Sequence, residues 1–177
     1  TLADTSADLI AAANACFRDM GAGDMLDLGA DALTAFHGGR AMLRLGLSRL
    51  GPVEEAVVDR FYPVLLAAYE AGIDRETRLY PGAAEAVEAL RRAGYATGIC
   101  TNKPVGLAEL LVRRLGVRDL FASLVGADTL PVRKPDPAPY HLSVSKAGGV
   151  TERSILIGDT DTDRKTATAA GVPSVLV

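Results

Sequence analysis

The sequence predicts an α/β protein: a doubly wound parallel sheet with a block of helices inserted into it. Three observations predict it. From residue 80 onward, short apolar runs alternate with helical patterns that close on glycine, the sequence form of a parallel sheet wound by crossover helices. Residues 5–75 instead carry helical periodicity with no convincing strand, and read as a small bundle. Finally, three of the expected strands empty into polar residues just before a helix. That is the carboxyl end of a parallel sheet, where such folds bind ligands.

The elements follow in order. In the first helix Leu9, Ile10, Ala13, Phe17 and Met20 recur at spacings of three and four, with Asp4, Thr5 or Ser6 as cap and the Gly21-Ala22-Gly23 run as stop. A short helix is expected over 30–36 and another over 40–50. A fourth starts at Pro52 and stripes Val58, Phe61, Leu65 and Tyr69 along one face, with a kink at Pro63. Pro81-Gly82 opens a helix with Val87 and Leu90 turned inward, ended by Gly94. Strands are expected at 95–101, 123–126, 154–158 and 175–177. Between them run helices from Pro104 to Gly116, from Pro137 to Gly148 and from Asp163 to Gly171.

Composition narrows the function. Of 177 residues, 49% are apolar and 23% charged, enough to build a sizeable core. Net charge is −3 and the basic residues are scattered, which argues against a nucleic-acid partner. No apolar run reaches the roughly 18 residues of a membrane span, so no membrane partner is expected. Cys16 and Cys100 lie far apart without metal-ligand spacing, which suits free thiols in a reducing, cytoplasmic setting. Oligomeric state is not legible.

The chemistry sits at the strand ends. The run Ile155-Leu156-Ile157-Gly158 stops at Asp159-Thr160-Asp161-Thr162-Asp163, three carboxylates in five residues. Asp161 or Thr162 is suited to cap the helix that follows. Asp159, directly after the strand glycine, is suited to a hard cation such as Mg²⁺, which takes one or two carboxylates plus phosphate oxygens. The strand at 95–101 ends in Thr101-Asn102 before a helix start, which offers donors to an anion or, more plainly, a helix cap. The next strand leads to Lys134, one of four lysines against fifteen arginines and held between prolines. It reads either as a solvated loop lysine or as a point charge for phosphate. A hydroxyl, a cation and a carboxylate on successive strand ends together make a site for a phosphate and a divalent metal.

These residues resemble the signatures of the haloacid dehalogenase-like hydrolases. Thr1-Leu2-Ala3-Asp4-Thr5 is similar to the tail of the family's opening Asp-x-Asp-Gly-Thr-Leu-x-Asp-Ser/Thr signature. Thr101-Asn102 resembles the second, Lys134 in Lys-Pro-Asp-Pro the third, and Gly158-Asp159 with Asp163 the fourth. Tyr80-Pro81-Gly82 resembles the hinge at which these proteins return from a helical cap to a Rossmann-like core. The phosphoglycolate phosphatases are the most similar subgroup.

The resemblance implies a core of residues 1–4 and 76–177 and a helical cap of residues 5–75. It places the core's first strand, with the nucleophilic and acid/base aspartates, four and two residues upstream of Thr1. It implies a Mg²⁺-dependent phosphatase that works through an aspartyl phosphate on a small phosphate ester. Asp159 and Asp163 would serve the metal, although Asp163 is equally suited to hold Lys134. Thr1, Thr101, Asn102 and Lys134 would serve catalysis. In the cap, His37, Gly38 and Arg40 would contact substrate, with Arg40 clamping a carboxylate such as that of phosphoglycolate; a tight turn with a solvated arginine is the plainer alternative. Phosphomutases and pyrophosphatases share the same core signatures, and a chain lacking the nucleophile would be a phosphate-binding module.

Overall fold

A computed structural model describes residues Thr1–Val177. The chain forms two compact units, a helical one at Asp4–Arg78 and an α/β one built from Thr1–Ala3 and Leu79–Val177. The chain passes from one to the other at two short strands absent from the sequence reading, β1 (Ala3–Asp4) and β2 (Arg78–Leu79).

The helical unit contains α1 (Ser6–Asp19), α2 (Ala32–Ala35), α3 (Gly39–Ser48) and α4 (Glu55–Ala71). Of the stripes read from the sequence, Ile10, Ala13, Phe17, Val58, Leu65 and Tyr69 are all but fully buried, where they meet Met42, Leu43 and Ile73, whereas Leu9, Met20 and Phe61 are only part-buried. Gly46 lets α3 close on α1, since a Cβ there would lie 2.1 Å from the Phe17 ring. Helix α4 runs unbroken through Pro63. Asp4 Oδ1 accepts from the Ser6 N–H and hydroxyl at 2.9 and 2.6 Å and so closes the entry to α1. One turn later Asp8, 4% exposed, accepts from the Glu76 N–H, the Thr77 N–H and the Thr77 hydroxyl at 2.7–3.1 Å. A buried carboxylate with this many donors is satisfied, and it ties the start of the unit to its end.

In the α/β unit the alternation appears as α5 (Ala83–Arg92), β3 (Gly98–Cys100), α6 (Val105–Arg114), β4 (Ser123–Val125), α7 (Ala138–Lys146), β5 (Leu156–Gly158), α8 (Asp161–Ala170) and β6 (Ser174–Leu176). Short 3₁₀ turns at Arg118–Leu120 and Thr151–Arg153 were not expected. Strand β3 pairs in parallel with β4, Ile99 opposite Leu124, and β5 pairs in parallel with β6, Ile157 opposite Val175. Strands β3 and β5 have one ladder partner each and do not pair with one another. Alternate residues of β3 enter different cores. Ile99 joins Leu124, Ala108, Val112 and Phe121, whereas Cys100 joins Tyr140, Leu156 and Ala167.

Three expectations need correction. Strand β3 is shorter than 95–101: backbone bonding to the neighbouring segment begins at the Thr97 carbonyl, which accepts the Ala122 N–H at 2.8 Å, and Tyr95 before it is 65% exposed. Leu90 is not inward, being 38% exposed on α5, although Val87 packs into the core. The apolar run at 155–157 is buried only at Leu156, while Ile155 and Ile157 are about half exposed. No helix is long and apolar enough to cross a membrane.

Candidate active site

One sequence of polar contacts joins the strand ends. The loop after β3 places Asn102, whose side-chain N–H donates to the Lys134 carbonyl at 2.9 Å. The Lys134 ammonium reaches Asp163 Oδ1 at 2.6 Å, with the two side chains 11% and 7% exposed. The other Asp163 oxygen, Oδ2, accepts from the Asp159 N–H, the Thr160 N–H and the Thr160 hydroxyl at 3.3, 3.1 and 2.7 Å. Asp159 completes the line by accepting from the Thr1 hydroxyl at 2.7 Å. Thus Thr1, Asn102, Lys134, Asp159 and Asp163 are gathered in one place. Thr101 adjoins Asn102, and its Oγ1 accepts the Lys103 N–H at 3.1 Å, so its own O–H remains to donate. Lys103, next along the loop, has its ammonium pushed down to about 8 by burial.

The aspartates divide their work differently from expectation. Neither Asp161 nor Thr162 caps α8. Thr160 does, in a capping box with Asp163 at the third helical position. Asp161 instead pairs with Arg164 and Lys165 on the surface. Both Asp163 oxygens are committed to protein donors, so of its two possible roles the geometry favours holding Lys134 over binding a metal directly. Burial alone would raise the Asp163 carboxyl; the Lys134 hydrogen bond and charge, with the Thr160 hydroxyl and Asp159 N–H, overcome it and hold the pKa below the usual value.

Gly158 makes this packing possible. A Cβ on it would fall 2.4 Å from Asp163 Cβ and Cγ and 2.6 Å from Oδ2. Gly158→Ala is therefore expected to displace Asp163 and cost about 1–3 kcal/mol of stability, read by urea unfolding. A variant as stable as the parent would show that Asp163 has room to move.

The start of α6 is not the open anion site that the sequence suggested. Pro104 stands at its cap position, and Asp128, beyond β4, accepts the Val105 N–H at 2.7 Å. In the helical unit, His37 is exposed and Gly38 has φ 85° at the start of α3. The Arg40 guanidinium is already engaged, paired with Asp59 and lying 4.4 Å from the centre of the Tyr62 ring. Its neighbour Arg44 makes a two-pronged pair with Glu55 at 2.7 and 2.8 Å. Arg40 and Arg44 thus strut α3 against α4, an assignment that single-sequence reading misses because Asp59 lies nineteen residues away.

For a metal, the α/β unit offers hard oxygen ligands but no ready-made cluster of three acidic, histidine or cysteine side chains. Asp159 is the site carboxylate with capacity left: its one side-chain donor is the Thr1 hydroxyl, and it is 22% exposed. A single carboxylate completed by phosphate oxygens and water fits Mg²⁺, which is often bound in just that way.

The chain is similar to known proteins along its whole length. The family model for haloacid dehalogenase-like hydrolases matches residues 1–177. A phosphoglycolate phosphatase of Mesorhizobium japonicum is 36% identical over 180 residues, covering 100% of this chain and 78% of the relative. That of Agrobacterium fabrum is 36% identical over 178 residues, covering 99% and 75%. The crystal structure of a predicted phosphoglycolate phosphatase from Haemophilus somnus superimposes with a TM-score of 0.81 at 25% identity, covering 99% of this chain and 80% of that one. The chain belongs to the haloacid dehalogenase-like hydrolase family, and it is a phosphatase.

Proposed function

We propose that the protein is a Mg²⁺-dependent phosphomonoester hydrolase that acts on phosphoglycolate through an aspartyl phosphate. The observation that carries the reading is the buried Lys134–Asp163 pair set beside the less encumbered carboxylate of Asp159. A lysine held this way presents fixed positive charge without being free to wander, which suits a phosphoryl group. The Thr101 hydroxyl donates to a second phosphoryl oxygen. Asn102 and Asp163 act through Lys134, one holding its backbone and the other its ammonium. Asp159 is the metal ligand; when bound, Mg²⁺ supplies charge neutralisation at the phosphoryl oxygens.

The nucleophilic and acid/base aspartates belong, on this reading, to a strand leading into Thr1. The single ladder partners of β3 and β5, and the position of Thr1 against Asp159, support placing that strand between them. It would complete a doubly wound sheet, with Asp4–Arg78 as the cap. A carboxylate oxygen attacks phosphorus, the ester P–O bond breaks, and the leaving alkoxide takes the proton of the second aspartate. Water then attacks the acyl phosphate and releases inorganic phosphate. The unpaired Cys16 and Cys100 suit a cytoplasmic enzyme. The names of the relatives favour phosphoglycolate over other small phosphate esters.

The test is phosphate release from phosphoglycolate, sugar phosphates, pyrophosphate and p-nitrophenyl phosphate, with EDTA and with added Mg²⁺. Phosphoglycolate is expected to show the highest kcat/KM, abolished by EDTA and restored by Mg²⁺. Faster turnover of another ester, or turnover in EDTA, would overturn the reading.

Substrate choice is assigned to Arg40, which would exchange Asp59 for the substrate carboxylate, beside His37 and the Gly38 backbone. Arg40→Ala is then expected to lower kcat/KM for phosphoglycolate about 10–150-fold and leave p-nitrophenyl phosphate almost unchanged. An equal fall on both esters would leave Arg40 only its strut between α3 and α4.

A further inference from the structure

Two loops carry the proposed phosphate-binding groups, and besides the Asn102–Lys134 contact they are stitched together by contacts to which the proposed chemistry assigns no part. The loop after β3 holds Thr101 and Asn102, and the loop between β4 and α7 holds Lys134. Asp128 Oδ1 accepts the Val105 N–H at 2.7 Å across a separation of 23 residues. The Ala127 N–H donates to the Lys103 carbonyl at 2.9 Å, and Asn102 reaches the Lys134 carbonyl. Gly126 sits so close to the start of α6 that a Cβ on it would lie 2.5 Å from the Val105 Cα and N. Helix α6 has no side-chain cap of its own. Its first free N–H is therefore satisfied from the neighbouring loop, which sets the distance between the two loops.

We propose that Asp128 is a positioning residue of the phosphatase: by capping α6 from the β4–α7 loop, it fixes Thr101 and Lys134 in register with the same phosphoryl group. The inference rests on the assignment of Thr101 and Lys134 to phosphate. An ordinary cap would contribute to stability alone. This one also joins two loops that must present donors to oxygens of a single phosphorus, where a displacement of an ångström is costly to the rate. Its carboxylate further occupies the positive end of α6, so phosphate is steered to Lys134 and the Thr101 hydroxyl instead.

The experiment compares Asp128→Ala with Asp128→Asn in the full-length enzyme, well below the melting temperature of either. The readouts are kcat for p-nitrophenyl phosphate and the inhibition constant of inorganic phosphate. Asp128→Ala is expected to lower kcat about tenfold or more and to weaken phosphate inhibition by a similar factor. Asp128→Asn, whose amide oxygen accepts the same N–H, is expected to restore most of both. Parental values in Asp128→Ala, whatever its melting temperature, would overturn the proposal, as would an Asp128→Asn variant as impaired as the alanine. If the alanine variant fails to fold, Asp128→Glu shifts the acceptor by one methylene, and parental kcat and phosphate inhibition in it would be equally fatal. Failure of the underlying phosphate assignment shows separately, because Lys134→Ala would then leave phosphate inhibition unchanged.

Discussion

Lys134→Ala is expected to be the most damaging single change to this chain, in stability and in turnover together. It removes the cation from a pair whose side chains are 11% and 7% exposed and leaves Asp163 charged in the interior. Breaking one side of such a pair costs about 3–5 kcal/mol, and three remaining donors to Asp163 favour the lower end. The pH dependence follows from the depressed Asp163 pKa. The pair contributes stability above the unfolded carboxyl value of about 3.9, and the contribution is lost as pH falls through the lower folded value. Without Lys134 the folded value rises, so acid unfolding should begin at higher pH. Adding Asp163→Asn to Lys134→Ala removes the stranded charge and should recover much of the stability without the activity. If the double variant regains turnover, Lys134 has only a structural task.

Asp159→Asn is expected to separate chemistry from folding. The amide keeps an oxygen for the Thr1 hydroxyl, and the residue is partly exposed, so the melting temperature should scarcely move. Turnover should fall about 10³-fold, the scale of loss when one charge-bearing group leaves a catalytic site. A second readout needs no turnover. The parent should gain melting temperature on adding Mg²⁺ with inorganic phosphate, as any protein does on binding a ligand in its native state, and the variant should not. An unaltered thermal response would remove Asp159 from the metal site.

The α/β alternation was legible because its signals are local. A glycine ends each helix, as Gly171 does in the left-handed conformation at φ 70°, and the apolar stripes of α1 and α4 needed only their own spacing. The strand ends were legible because parallel topology alone puts them on one side. What failed to show was the choice of partner. Asp59 opposite Arg40 and Asp128 at Val105 across the chain, and Thr160 as the local α8 cap, each depend on which of several chemically equal candidates lands in range. Asp163 is the clearest case, since its spacing from Asp159 fits a metal ligand and a lysine anchor equally well. What the spacing does not show is that Lys134 and the turn at 159–160 land within reach of its two oxygens.

The Asp8 carboxylate, bonded to Glu76 and Thr77, has a consequence for how this architecture can change. It brings together chain positions 68 and 69 residues apart, so the helical unit begins and ends at almost the same point. A module with adjacent termini can interrupt another without forcing it apart, and helices within it can lengthen, shorten or be replaced while the spacing of its two ends stays fixed. A different module grafted between the same two positions would keep the spacing of its ends, provided it kept an acidic side chain one turn into its first helix and three donors at its exit.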